Sequence, residues 1–380
     1  MIRRKPARLV FLVPGFFGFT SVGAVNYFER VEQSLGSALA RRGIDDARIV
    51  RCRTQPTASI TRRADALRRH VLRHGGLAAH ELHFVGHSTG ALDVRMLLTP
   101  GVKIACDDSS ERIARRTRSA ISVAAPHHGT PLANHFVTIQ GQTLLLVLSA
   151  LATSGQGRGT LWAAARAVAL MAEIDDWLGR GEGALDRIAQ GLLRKIRFDR
   201  RDPVWRYLAA IEHDQGAVLQ LTPEGIDLFD ASVVDRDGID YGCVVTAVPR
   251  LREQLRAAEL LDPEYVALRA LFRLLHLLAS RPHPRYPYPE PAVALRRALE
   301  RALRFKVGPA SNDGVVPTYS QLHGRLLHAA RADHLDIVGH YTLAGGRTAD
   351  WLPSGAGFST EAFDAAWDAV AAAIARSSAS

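Results

Sequence analysis

Short apolar runs alternate along this chain with segments whose apolar residues recur every three or four positions. Leu9-Val10-Phe11-Leu12-Val13 is an unbroken apolar run and predicts a strand over 8–13. Over 26–42, Phe28, Val31, Leu35 and Leu39 share one helical face, as do Ala64, Leu67 and Val71 over 61–74. Ile49 to Arg53 reads as a second strand, Glu81 to Val85 as a third and Ala120 to Ala125 as a fourth, with a helix over Ala91 to Leu98 between the last two. Strands of this kind, alternating with amphipathic helices, call for a mostly parallel central sheet covered on both faces, an α/β architecture.

The rhythm breaks after Ala133. Residues 134 to about 230 are mostly helical and apolar, interrupted by glycines at Gly155-Gln156-Gly157-Arg158-Gly159 and Gly179-Arg180-Gly181-Glu182-Gly183. Val244 to Val248 returns to the strand pattern, and a second helical block covers 251–279. Pro282 to Pro291 is a proline-rich extended connector, followed by a helix over Val293 to Leu303 and a short strand over Arg304 to Val307. A closing helix is expected near Thr360 to Ala375. The simplest division is a core of 1–133 and 240–380 carrying a helical lid or cap insertion, 134–239. Part of 251–300 could be assigned to either unit. There is no internal repeat.

At 380 residues and 47% hydrophobic content, one large α/β domain with an insertion is well within reach. No apolar run approaches the ~18–20 residues that span a bilayer, so an integral membrane protein is not expected. Met1-Ile2-Arg3-Arg4-Lys5 and the apolar run after it imitate a secretion leader. That run is short and leads into Pro14-Gly15-Phe16 without a cleavage-like site, so it reads as the first core strand, and a cytoplasmic location is expected. Cys52, Cys106 and Cys243 suggest neither a disulfide framework nor a metal site. The net charge of +10 is spread over pairs such as Arg62-Arg63, Arg68-Arg69, Arg115-Arg116 and Arg296-Arg297. Without interleaved aromatics this does not describe a nucleic-acid face, though adsorption to an anionic surface or granule stays open.

The chemistry begins at Gly86-His87-Ser88-Thr89-Gly90, between the third strand and its helix. G-x-S-x-G in that setting resembles the nucleophile elbow of the α/β-hydrolases: small residues two positions either side of the serine admit a turn tight enough to expose its hydroxyl. A serine hydroxyl is a weak nucleophile and needs a base, and the base needs an orienting carboxylate. The expected chain order is serine, acid, histidine. Asn312-Asp313-Gly314 offers the acid and Ala332-Asp333-His334 the base, with His323, His328 and His340 as rival bases. The oxyanion needs two fixed backbone N–H donors. Thr89, opening the helix after the serine, and Phe16, in the loop after the first strand, are the candidates. Phe17, His87, Leu145 and Leu146 are candidate substrate contacts; His87 is read as packing against the core or tuning the elbow rather than as catalytic. The adjacent pair His127-His128 is read as loop polar residues, because neighbouring side chains diverge.

Beyond the elbow, the chain resembles the bacterial true lipases of the Pseudomonas and Burkholderia type. Leu12-Val13-Pro14-Gly15-Phe16-Phe17-Gly18-Phe19 is similar to their oxyanion loop, with Gly23 and Tyr27-Phe28 continuing the pattern. Gly86 to Arg95 is similar to their elbow and helix, and Ala125-Pro126-His127-His128-Gly129-Thr130-Pro131-Leu132-Ala133 to the segment after the next strand. Leu221-Thr222-Pro223-Glu224-Gly225 with Phe229, Asn312-Asp313-Gly314 and His334-Leu335-Asp336 complete the likeness over roughly half the chain. The resemblance implies an α/β-hydrolase fold, acyl transfer at Ser88 and a structural calcium touching Asp336. The departures are Pro14, where the family has histidine, and His340, where a calcium-site glutamine is expected. With no counterpart for a second calcium aspartate, no cofactor is expected.

Together these features point to a lipase-type serine carboxylic-ester hydrolase acting on lipid or other apolar esters, a lipid–water interface being one place where it would meet them. A polyester depolymerase or an acyltransferase would use the same three residues. A non-catalytic lipid- or granule-binding protein is the reading from another class.

Overall fold

The computed structural model describes residues 8–16, 27–55, 57–137, 214, 216–249, 263–341 and 352–379. Six strands form one sheet: β1 (Arg8–Val13), β2 (Ala47–Arg51), β3 (Glu81–His87), β4 (Thr117–Val123), β5 (Asp240–Ala247) and β6 (Arg325–Arg331). Their spatial order is β2-β1-β3-β4-β5-β6, and every neighbouring pair is parallel. The helices between them are α1 (Glu29–Ala40), α2 (Ile60–Arg73), α3 (Thr89–Leu98), α4 (Ser109–Ala114), α5 (Pro131–Phe136), α6 (Gly216–Gln220), α7 (Pro223–Ser232), α8 (Pro263–Ala279), α9 (Val293–Leu303) and α10 (Thr360–Ala379).

The two-residue period of a strand divides the first apolar run between two cores. Leu9, Phe11 and Val13 join Leu67 and Val71 of α2 and Val94 and Leu97 of α3 on one face. Val10 and Leu12 join Val31 and Leu35 of α1 and Trp367 and Ile374 of α10 on the other. A run apolar at every position is therefore buried on both sides, as parallel sheets demand. From β1 the chain crosses to β2 on one side and then to β3 on the other. The connection leaving β1 leads to α1 on one face and that leaving β3 to α3 on the other, a switch point of the kind at whose carboxyl end ligands bind in such sheets.

The expected and observed elements differ most near the C-terminal part of the sheet. Arg304 to Val307 is not a strand: Arg304, at φ 59°, is a left-handed cap closing α9, and the chain continues without pairing. The sixth strand is instead β6, whose Arg-Leu-Leu-His-Ala-Ala-Arg has little β-branched or aromatic content and reads equally well as helix. Its partner β5 enforces the extended form. The fourth strand ends at Val123, because Ala124 turns away at φ 51°. Most of the expected lid, with Leu145 and Leu146, lies outside the described residues, as does Phe17. At the margins of that segment, Phe136, Val218, Leu221, Ile226 and Phe229 belong to the main core. No helix of the described residues is long and apolar enough to cross a membrane.

Burial of α2 has a pH consequence. His70 is 8% exposed and stacks on His74 at 4.2 Å. Burial, helped by the neighbouring His74 and Arg73 charges, pushes its pKa down to about 4. An unfolded histidine titrates near ~6.5, so the native state binds this proton less tightly than the unfolded one. The resulting stability is complete above that pH and is lost as pH falls towards 4. In His70→Gln the drop in urea midpoint between pH 7 and pH 4.5 should be smaller than in the wild type. An equal drop would remove His70 as a source of acid sensitivity.

Candidate active site

Ser88 stands between β3 and α3 at φ 54°, ψ −131°, a sparsely populated conformation for a residue with a side chain. Such strain costs on the order of 1–3 kcal/mol and persists only where the surroundings enforce it. Here they do. A Cβ on Gly86 would strike the backbone of Ala91, and one on Gly90 would strike the carbonyl of Val13. Glycines at both positions let the helix pack directly on the sheet while the serine is lifted above it.

His334, in the loop after β6, brings Nε2 to 3.0 Å from Ser88 Oγ. Its Nδ1 lies 2.9 Å from Asp313 Oδ2. The three residues, 246 positions apart at the extremes, are nearly enclosed: Ser88 is 5% exposed, His334 2% and Asp313 0%. The rivals His323, His328 and His340 are not joined to Ser88 by any described hydrogen bond; His323 pairs with Asp235 at 3.0 Å.

The carboxylate is delivered differently from the sequence expectation. With no strand before it, Asp313 hangs from the end of β5, where Val248 N–H donates to Asn312 O at 2.9 Å. Asn312 Nδ2 reaches the His276 carbonyl of α8 at 3.1 Å, and Gly314 turns the chain at φ 95° beneath the Phe272 ring. Asp313 Oδ1 accepts the amides of Val315 and Val316 at 2.9 and 2.7 Å. Its Oδ2 accepts Thr246 Oγ1 at 2.8 Å and Gln321 Nε2 at 3.3 Å besides the histidine. Buried carboxylates are tolerated when their lone pairs are occupied in this way.

The loop after β1 presses on the serine. A Cβ on Gly15 would come within 2.5 Å of Ser88 Cβ, so only glycine allows this approach. Arg63 of α2 holds the loop from behind. Its Nη2 donates to Pro14 O at 2.9 Å, its Nη1 to Gln55 O at 2.6 Å, and Nε and Nη2 grip Asp93 of α3 at 2.8–3.1 Å. Both side chains are 0% exposed. Burial pushes the Asp93 pKa up to about 6 even against the Arg63 charge. This anchor escaped the sequence reading, which only counted Arg62-Arg63 among the scattered arginine pairs. The signal was present: residue 63 falls on the apolar stripe with Ile60 and Leu67, and Asp93 is the one acidic residue of an otherwise largely apolar helix.

Thr89 is the first residue of α3, so its amide is one of the four that a helix leaves without an internal partner, at the positive end of the dipole. Phe16 borders the same cavity as Ser88 and His334. That cavity contains about 540 Å³ of atom-free space, its open mouth included, and its wall is almost wholly apolar, with Leu132, Phe136, Val218, Leu221 and Leu275. His87 does not border it. The His87 ring is 1% exposed and faces Tyr27 and the main chain of His334, so the candidate substrate contact at this position is corrected to an internal one. His127 is likewise buried, stacked on His323 at 4.4 Å.

Asp336, the residue that the resemblance ties to calcium, is engaged within its own loop. Its Oδ2 accepts the amide of Asp333 at 2.9 Å, while Asp333 Oδ1 accepts the amides of Leu335 and Asp336, so the two carboxylates clasp the loop that bears His334. The His340 ring packs 6.0 Å from Tyr27. Among the described residues no group of three or more His, Cys, Asp or Glu side chains could hold a metal ion.

No protein-family model and no curated protein sequence matches the chain. Solved structures do. EstA from Clostridium botulinum superposes with a TM-score of 0.52 at 18% identity, covering 92% of this chain and 86% of its own. Staphylococcus hyicus lipase gives 0.51 at 16% identity, over 99% and 98%. Lipase 1 from Pelosinus fermentans gives 0.50 at 19% identity, over 91% and 96%. With the parallel six-stranded sheet, these likenesses establish the α/β-hydrolase fold.

Proposed function

We propose that this protein is a serine carboxylic-ester hydrolase of lipase type that cleaves apolar acyl esters. The observation carrying this reading is the continuous line from Asp313 through His334 to Ser88 Oγ at the edge of an apolar cavity. Ser88 Oγ attacks the ester carbonyl carbon while His334 Nε2 takes its proton. The carbonyl oxygen becomes an oxyanion received by the Thr89 and Phe16 amides. Asp313 fixes the histidine tautomer with the proton on Nδ1 and stabilises the imidazolium. Collapse of the intermediate expels the alcohol, which leaves with the proton from Nε2. Water, activated by the same nitrogen, then attacks the acyl-enzyme and releases the acid.

The cavity wall supports an apolar acyl group, since it offers that chain almost no polar partner. The finer kinship to the Pseudomonas and Burkholderia type of lipase belongs to this proposal and is supported by the motifs around Gly15, Ser88, Asp313 and His334. A series of p-nitrophenyl esters from acetyl to palmitoyl tests the reading. Turnover is expected to rise from acetyl to a longer acyl group that fills the cavity. Hydrolysis of none of them above the rate of a Ser88→Ala control would sink it. The same series run with added alcohol separates hydrolysis from acyl transfer, because a transferase diverts the acyl group into a new ester.

A further inference from the structure

Two buried polar residues in contact with the proposed site have no part in the acyl-transfer steps. Tyr27, just before α1, is 2% exposed, and His87, before the serine, is 1% exposed. The Tyr27 phenol oxygen lies 2.5 Å from His87 Nδ1, and His87 Nε2 lies 2.9 Å from the carbonyl oxygen of His334. The Gly15 backbone lies beside the phenol oxygen.

The direction of each hydrogen bond follows from chemistry. A carbonyl oxygen can only accept, so His87 Nε2 carries a proton. Burial drives the His87 pKa well below its ordinary value, with His334 close by opposing a second positive charge, so the ring is neutral and Nδ1 is bare. Tyr27 O–H must then donate to Nδ1, with the Gly15 backbone beside its oxygen. The result is one ordered chain, Tyr27 Oη–H to His87 to the His334 carbonyl, with the Gly15 backbone beside the phenol. One end lies beside Phe16 in the oxyanion loop, and the other is the main chain of the base. The His87 and His334 rings are 4.8 Å apart, and Tyr27 meets His87 edge-on at 5.7 Å, so packing restrains the chain as well.

We propose that Tyr27 and His87 are positioning residues, a hydrogen-bonded bridge that holds the oxyanion loop and the base in register. The proposal rests on the acyl-transfer reading above. Acyl transfer needs the base and the oxyanion donors aligned on one tetrahedral intermediate, and misplacement by about 1 Å can cost on the order of 10²-fold. Arg63 fixes the loop to α2 and α3, whereas Tyr27 and His87 fix it to His334. The bridge acts on the alignment of reacting groups, gripping His334 by its main chain rather than shaping the apolar wall, so its loss should appear in kcat and leave KM alone.

The experiment compares wild type, Tyr27→Phe, His87→Leu, His87→Gln and the double variant Tyr27→Phe/His87→Leu on a p-nitrophenyl butyrate substrate. Tyr27→Phe and His87→Leu are each expected to lower kcat about tenfold or more, with KM within about twofold of wild type. His87→Gln keeps an acceptor for Tyr27 and a donor for the His334 carbonyl, and should recover kcat to within about threefold. The double variant should be little worse than His87→Leu, because a bridge broken once has no more to lose. A kcat within twofold of wild type in Tyr27→Phe, or a glutamine no better than leucine, overturns the bridge. If His87→Leu fails to fold, Tyr27→Phe, which deletes a single oxygen, decides the matter alone. Activity persisting in Ser88→Ala overturns the acyl-transfer reading and the bridge with it, whereas an inactive Ser88→Ala beside a fully active Tyr27→Phe overturns the bridge only.

Discussion

Replacing Ser88 by alanine should lower turnover of a p-nitrophenyl acyl ester by at least about 10³–10⁴-fold while leaving a folded protein. The substitution removes one oxygen, and alanine suffers the same strain at φ 54° as the serine it replaces, so the elbow has no new reason to collapse. What disappears is the oxygen 3.0 Å from His334 Nε2 that the proposed mechanism needs to form an acyl-enzyme. Any residual rate comes from the oxyanion donors and the cavity. Adding His334→Ala to Ser88→Ala should cost little more, because the two residues act as a unit. Steady-state kinetics on the wild type and the two variants, with thermal melts to verify folding, measures this. A Ser88→Ala protein at wild-type rate would remove the nucleophile from the account.

The largest effect on stability is expected at Arg63. In Arg63→Met, Asp93 stays fully buried without its guanidinium, and the carbonyls of Pro14 and Gln55 lose their donors. Breaking one side of a buried pair costs roughly 3–5 kcal/mol, because a charge is stranded where water cannot reach it. The urea midpoint should fall accordingly. Adding Asp93→Leu strands no charge and should restore much of the loss. Activity should not return in step, since nothing would then hold the oxyanion loop from behind. Equal unfolding midpoints for wild type and Arg63→Met would show that the pair contributes no net stability.

How legible each part was follows from the kind of force involved. β1, β3, α1 and α2 announce themselves because burial on one or both faces imposes a period on their own residues. Ser88 was legible because its strained turn needs small residues at fixed offsets, and Gly86 and Gly90 meet the backbones of Ala91 and Val13 as that turn requires. Asp313 and His334 could be named from chain order, but how Asp313 arrives could not. Its loop is hung from β5 and α8 by contacts far away in sequence, and β6 owes its extended form to a neighbour rather than to its own composition. Arg63 and Tyr27 were missed for a related reason. Each acts through partners on other elements, so the local segment, even where it puts Arg63 on a buried stripe, does not show what the side chain holds.

The central claim is that Ser88 is the nucleophile of an acyl-transfer site served by His334 and Asp313. Diethyl p-nitrophenyl phosphate traps such a serine by transferring its diethylphosphoryl group to Oγ as p-nitrophenolate leaves. Intact-mass spectrometry after a stoichiometric exposure should find one adduct per chain, and peptide mapping should put it on Ser88. The label should be absent from Ser88→Ala and slow to form in His334→Ala. No adduct on the wild type, or an adduct on another residue with equal labelling of Ser88→Ala, would contradict the claim.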